Sequence, residues 1–430
     1  MKIILLQCGR DYETNSFGFT DGLDQTWINH GLASIGAYIK KFNFTFDFLD
    51  MRTIKSRNHF IKHITKTHPD LVAISAMASN YDFAKACIRD IKNALPSVKT
   101  VIGGIHATIC SKEIYQDNAF DYIVLGEGEK ALMKIVKNDA HKGIIREEPV
   151  ENIDEIPSIE RNFFGASEYP VYPPLFPRPF ATFIATRGCP FRCNYCQPAL
   201  AFHFGNKIRS RSAKNLVEEI SKTRKDFAIR SYMLHDDCNL TDVDWIQDFI
   251  FHLGVNKIKM PFAIQARADI IARNPELITA LATRGLTMLQ IGFESGSQKI
   301  LDFLKKNTTV EQNLRAAQIC RNNSITIWAN YMLGFPGETK QDVADTISMI
   351  HKIRPTVHSP TFFTPSPGTD LFDYCRKKEL LLEHRTYRRN PDGEKIKGVD
   401  YGYLKKVLDS ATSAVNKRSG LMDRIRSIFG

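Results

Sequence analysis

The sequence predicts an α/β protein made of two successive parallel sheets with a helical extension, and three observations carry that prediction. Short apolar runs alternate with helical patterns over residues 1–138, the alternation lapses across a proline-rich stretch, and it resumes from residue 181. At 430 residues the chain exceeds what one hydrophobic core serves, so more than one domain is expected. Its 43% hydrophobic and 24% charged residues are those of a globular protein, and no run of eighteen apolar residues is present to span a bilayer.

The first residues, "MKIILLQCGRDYE", make a poor signal peptide and a good first strand, which predicts a cytoplasmic location. "KIILLQ", "TFDFLD", "LVAISA", "KTVIGG" and "DYIVLG" follow as strand-length runs, separated by helical segments such as "GLASIGAYIKKF" and "YDFAKACIRDIKNAL". Strands apolar on both faces form a parallel sheet covered by helices, so residues 1–138 read as a Rossmann-like, flavodoxin-like domain. Such a sheet binds ligands outside the carboxyl ends of its strands. Those ends carry Cys8 with Gly9, Asp50, Ser75, Gly103 with Gly104, and Gly126 with Glu127. The small residues among them let backbone approach a ligand closely.

Residues 139–180 read as a proline-stiffened linker, with five prolines between positions 170 and 179. From 181 to 375 a second alternation begins: "ATFIAT", "RSYMLH", "PFAIQA", "TMLQIG", "ITIWANYM" and "VHSPTFF". Six strand-helix units are too few to close an eight-fold barrel, yet right-handed crossovers curl them the same way, which predicts a partial (β/α)6 TIM-type barrel. Its catalytic mouth lies at the strand carboxyl ends. Those ends hold Cys189 to Cys196, then Asp236 and Asp237, then Gln265 and Arg267, then Glu294, then Asn330 with "GFPGET", and last "TPSPGT".

Three of nine cysteines fall inside "TRGCPFRCNYCQPA", at Cys189, Cys193 and Cys196; the other six are scattered and predicted to be mostly small buried residues. Four thiolates normally hold a cubane iron-sulfur cluster, and three leave one iron open. A structural zinc loop completed by His203 or a distant residue is the competing reading of the same spacing.

Taken together, the loop, with Tyr195 before its last cysteine, resembles the cluster loop of the radical S-adenosylmethionine superfamily. "LHDDCNLTD", "QARADI", "GFESGSQKILDFLKKNTT", "MLGFPGET" and "TPSPGTDLF" resemble later landmarks of that superfamily's cobalamin-binding branch. "LVAISA", "VIGGIHAT" and "VLGEGE" resemble its N-terminal domain. The resemblance implies a [4Fe-4S] cluster on the three cysteines and S-adenosylmethionine on its open iron, cleaved to methionine and a 5′-deoxyadenosyl radical. It also implies Tyr195 against the adenine, Asp236 or Asp237 near the amino group, Arg267 near the carboxylate and Glu294 at the ribose; Gln265 and Asn330 join the expected cofactor-binding residues by their places at the strand ends. Cobalamin is implied for the first domain, at Asp50, Ser75, Gly103, Gly104 and Glu127. No D-x-H-x-x-G appears at "DMRTIK", so no histidine is offered there as a cobalt ligand, and His106 reads as a loop residue. An electron donor such as flavodoxin or ferredoxin is implied as partner.

Residues 376–430 hold 14 Lys and Arg against 7 Asp and Glu, much of the net charge of +11. Residues 401–416 and 421–429 show helical periodicity, the second with Arg424 and Arg426 beside an apolar face. Such a basic extension docks on the barrel, lies peripherally on an anionic membrane surface, or grips an acidic or membrane-associated substrate. No aromatic-interleaved basic stripe accompanies it, so no nucleic acid is expected. The function expected is a cobalamin-dependent methylation of an unactivated carbon in a small molecule; a non-methylating radical reaction (dehydration, cyclisation or rearrangement) with an empty or cobalamin-bearing first domain, and a cobalamin or iron-sulfur sensor, are the alternatives.

Overall fold

The computed structural model describes residues 1–9, 28–54, 56–164, 176–196, 207–238, 240–383, 387 and 391–419. The chain divides into two compact units, Met1–Val171 and Tyr172–Gly430.

In the first unit, six parallel strands form one sheet: β1 (Ile3–Gln7), β2 (Phe46–Asp50), β3 (Leu71–Ser75), β4 (Lys99–Gly103), β5 (Tyr122–Leu125) and β6 (Gly143–Arg146), ordered β2-β1-β3-β4-β5-β6. Five stand where the apolar runs predict them. The sixth lies in the stretch read from sequence as linker: four residues with two central isoleucines are too short to show a period, and pairing with β5 makes them a strand. Alternate side chains serve opposite faces. Ile3 and Leu5 pack with Leu32, Ile39 and Leu132, while Ile4 and Leu6 pack with Phe60, Ile64, Phe83 and Ile88. Each such side chain, fully buried, contributes about 1.5–3 kcal/mol, which explains why both faces are covered by helices. Strand order reverses at β1, with β2 on one side and β3 on the other. Register then sets Asp50, Gln7, Ser75 and Gly103 in one row at the carboxyl edge.

The second unit has another six-stranded parallel sheet: β7 (Phe180–Phe183), β10 (Ser231–Leu234), β11 (Phe262–Arg267), β12 (Leu286–Glu294), β13 (Thr326–Leu333) and β14 (Val357–Phe362). Each strand adds beside its predecessor, so the sheet curls in one sense and ends open at β7 and β14, the partial barrel predicted. A small antiparallel ribbon, β8 (Thr186–Arg187) with β9 (Arg209–Ser210), brackets the cysteine loop. The helix Tyr401–Ser419 buries Leu404, Leu408, Ala411 and Val415 and joins the barrel core through Leu404 and Leu408. Its apolar stripe is therefore covered by protein; the second periodic segment, 421–429, lies outside the described residues. Among the described residues no helix is long and apolar enough to cross a membrane.

Candidate active site

The cysteine loop is fixed at both ends by backbone hydrogen bonding. Beyond β7, the N–H groups of Ala185 and Thr186 donate to Oδ1 of Asp236, at 2.7 and 3.1 Å, from the loop after the neighbouring strand β10. Gly188 has φ +99° and a Cβ there would stand 2.8 Å from the Lys207 carbonyl, so only glycine fits. Farther on, Asn194 donates from its backbone N–H to Leu304 and from Nδ2 to the Phe303 carbonyl at 2.6 Å, while its own carbonyl accepts from Leu371. A turn closes the loop, with the Cys196 N–H on the Cys193 carbonyl.

The thiols differ in setting. Cys193 is buried, Cys189 half-buried and Cys196 exposed. Arg267 Nη1 donates to Cys193 Sγ at 3.5 Å, and the guanidinium lies 3.7 Å over the Phe191 ring. The same guanidinium donates to Asp269 at 2.9 Å and to the Lys306 carbonyl at 2.5 Å, so its fork is fully engaged. Cys189 accepts a hydrogen bond from Cys238, and with the Phe191 N–H this outweighs burial and holds the thiol down at about 7; Cys238 itself is driven well up. Among the described residues no three His, Cys, Asp or Glu side chains are gathered about one point as a single metal ion requires. His203 lies outside the described residues.

A second charged group completes the mouth. Lys306, with 4% of its side chain exposed, donates to Glu294 Oε1 at 3.0 Å and lies 3.4 Å from the Tyr195 hydroxyl. Glu294 has φ +61° at a register shift in β12, and a Cβ on Gly292 would stand 2.4 Å from its Oε1. Glycine at 292 thus makes room for the carboxylate. Burial, then Glu294 and Cys193, keep Tyr195 a neutral phenol with its pKa well raised. Gln265 Nε2 donates to Gln290 at 3.0 Å in the next strand. Of the two aspartates, Asp236 is buried and Asp237 exposed. Burial raises Asp236 to about 7 against the pull of its two N–H donors, and burial likewise raises Glu338 to about 7.

In the first unit, Asp50 is already committed: Arg52 donates to it from Nε at 2.9 Å and Nη2 at 2.6 Å. Ser75 and Gly103 stay in register beside it, and Gly104, at φ +90°, runs so close to β3 that a Cβ would meet Ser75 Oγ at 2.8 Å. Glu127 follows β5, half-buried. His106 is buried against the Tyr81 ring at 4.5 Å, and burial lowers its pKa, so it is a neutral core imidazole. Residues 10–27, which follow β1, lie outside the described residues.

Residues 20–136 match the B12 binding domain family, and residues 183–350 match the radical SAM superfamily. The chain belongs to the cobalamin-binding branch of the radical SAM superfamily. It is 27% identical over 389 residues to an uncharacterized methyltransferase of Pyrococcus horikoshii, covering 86% of this chain and 83% of that one. It is 26% identical to the anaerobic magnesium-protoporphyrin IX monomethyl ester cyclase of Cereibacter sphaeroides, covering 84% of this chain but 62% of the relative. Its fold is similar to the radical S-adenosylmethionine methyltransferase TsrM of Kitasatospora setae, with TM-score 0.67, 14% identity, and coverage of 88% and 76% of the two chains.

A radical SAM protein of this branch takes a four-iron cluster, S-adenosylmethionine and cobalamin. The residues fit the first two. Three thiols stand on one pinned loop, and four buried acceptors near the mouth have no donor: Asn194 Oδ1, Asp236 Oδ2, Asn330 Oδ1 and Glu338 Oε1. Orphaned buried acceptors carry a desolvation cost, which a ligand rich in N–H and O–H groups offsets. For cobalamin, the fit is the row of small and polar residues at the carboxyl edge where strand order reverses. Lys306, Gln290 and Cys238 escaped the sequence reading. Lys306 sits inside "LKKNTT", where one of two adjacent lysines turns inward, and only the fold separates it from Lys305, whose side chain is 64% exposed.

Proposed function

We propose that this radical SAM protein transfers a methyl group to an unactivated carbon of a small molecule, with cobalamin. The observation that carries this reading is the joint presence of a pinned three-thiol loop and a matched B12 binding region in one chain. The name of the Pyrococcus relative, a methyltransferase, supports it. When bound, a reduced cluster with an open iron would supply the electron needed to break the sulfonium bond of S-adenosylmethionine, and a corrinoid would supply a carrier for the methyl group.

The chain's own residues would do the rest. Cys189, Cys193 and Cys196 hold the cluster. Arg267 keeps one cation against the Cys193 sulfur, and its engaged fork argues for that task ahead of the carboxylate contact expected from the resemblance. Asp237, exposed where Asp236 is buried, is the aspartate proposed to meet an ammonium, while Asp236 holds the loop. Glu294, steadied by Lys306, would accept ribose hydroxyls beside Tyr195, and Gln265, Gln290 and Asn330 line a neutral polar wall. In the first unit, Ser75, Gly103, Gly104 and Glu127 would face the corrinoid, with Asp50 acting through Arg52. The exposed lysines 405 and 406 on the docked terminal helix favour an acidic small molecule or an acidic electron donor such as flavodoxin or ferredoxin over a membrane surface.

A non-methylating radical reaction is the second reading, favoured by the match to the cyclase over 84% of this chain. Product analysis separates them. The reconstituted, reduced chain with cobalamin, S-adenosylmethionine and candidate substrates should yield S-adenosylhomocysteine alongside 5′-deoxyadenosine; 5′-deoxyadenosine alone would transfer support to the second reading.

A further inference from the structure

The cysteine loop lacks a fourth thiol of its own, yet the fold brings one from the adjacent strand. β7 and β10 are parallel neighbours with Phe183 opposite Leu234, and the His235 N–H donates to the Phe183 carbonyl at 2.9 Å. The bonds from Ala185 and Thr186 to Asp236 continue the pairing past the sheet, so the two loops leave it side by side. Six residues into one stands Cys189, half-buried; four residues into the other stands Cys238, 3% exposed. Their thiols are within hydrogen-bonding reach.

We infer that Cys238 is the redox partner of Cys189, closing with it into a reversible disulfide when the cluster is lost. With iron bound, the Cys189 sulfur is committed and Cys238 is only a hydrogen-bond donor to it. Without iron, Cys189 is the accessible member of the pair. Its thiolate attacks an external disulfide such as oxidised glutathione, forming a mixed disulfide and releasing one thiolate. Cys238 then attacks the Cys189 sulfur, giving up its proton and expelling the second thiolate. Two protein thiols are thereby oxidised, and one external disulfide is reduced to two thiols. The two thiols already share a hydrogen bond across neighbouring loops, so only a short approach separates them from bonding distance. The consequence is protective: Cys189 is held in a state that a thiol reductant reverses, short of sulfinic and sulfonic acids, which it does not.

The inference rests on Cys189 as a cluster ligand, and loss of iron and cluster absorption in Cys189→Ala checks that assignment separately. For the inference itself, the full chain is purified without oxygen, stripped of iron under reductant, and treated with oxidised glutathione. Trypsin cuts after Arg187, Arg192, Arg230 and Lys257, so Cys189 and Cys238 fall in separate peptides, 188–192 and 231–257, each with no other cysteine. Mass spectrometry should find these two peptides joined, with a loss of two hydrogens reversed by dithiothreitol. A dominant link from 188–192 to 193–207, which carries Cys193 and Cys196, overturns the inference. In a second arm, Cys238→Ser should load iron and sulfide as the parent does, but regain about three-fold less cluster after oxidant exposure and reduction, because Cys189 passes to irreversible oxidation. Equal recovery overturns the inference, and so does failure of the variant to load iron at all, since Cys238 would then be a ligand.

Discussion

At the scale of single residues, the decisive groups are charges taken out of water and matched one to one. Lys306 and Glu294 form such a pair, with side chains 4% and 12% exposed. Removing one partner leaves the other buried and unpaired, which costs about 3–5 kcal/mol. Lys306→Met should therefore lower the melting transition of the chain by roughly 6–15 °C, and it should weaken S-adenosylmethionine binding measured by calorimetry. Glu338 gives a pH signature. Burial raises its carboxyl from the ordinary 4.5 to about 7, so the folded chain binds that proton more tightly than the unfolded chain does. Stability from this group is therefore greatest below pH 4.5 and falls as pH rises toward 7, by about 1–3 kcal/mol in all. Melting curves between pH 5.5 and 8 should show the parent losing more stability than Glu338→Gln, and parallel curves would contradict the assignment.

At the scale of elements, the cysteine loop is a joint between two strands rather than a free segment. Gly188→Ala should disturb it, because φ +99° is strained for any side chain and the added Cβ meets the Lys207 carbonyl at 2.8 Å. The expected cost is about 1–3 kcal/mol, read as reduced iron and sulfide content after reconstitution with little change in far-ultraviolet circular dichroism. The strands themselves were legible in the sequence, since apolar runs bounded by glycine and polar residues survive as β1–β5 and as the six barrel strands. β6 was not, because a short edge strand owes its state to its partner. Local pattern likewise located the three cysteines, yet it could not rank Asp236 against Asp237. That distinction is burial, fixed by β7 lying beside β10.

At the scale of the whole molecule, the three loop cysteines and the crevice row belong to different compact units. The Cys189→Ala, Cys193→Ala, Cys196→Ala triple variant should lose the cluster absorption while keeping corrinoid bound through gel filtration, and joint loss of both would contradict independent sites. What the sequence could not supply at this scale was which charges meet, since Arg267 finds Cys193 across 74 residues and Lys306 finds Tyr195 across 111. That separation has a consequence in time. The three thiols leave the ribosome long before Asp236, Arg267, Leu304 and Leu371, the groups that hold their loop in place. At about 5–20 residues per second, the nascent cysteines wait many seconds with nothing to arrange them. Iron delivery to this chain therefore belongs late in its synthesis, when the last of those partners has arrived.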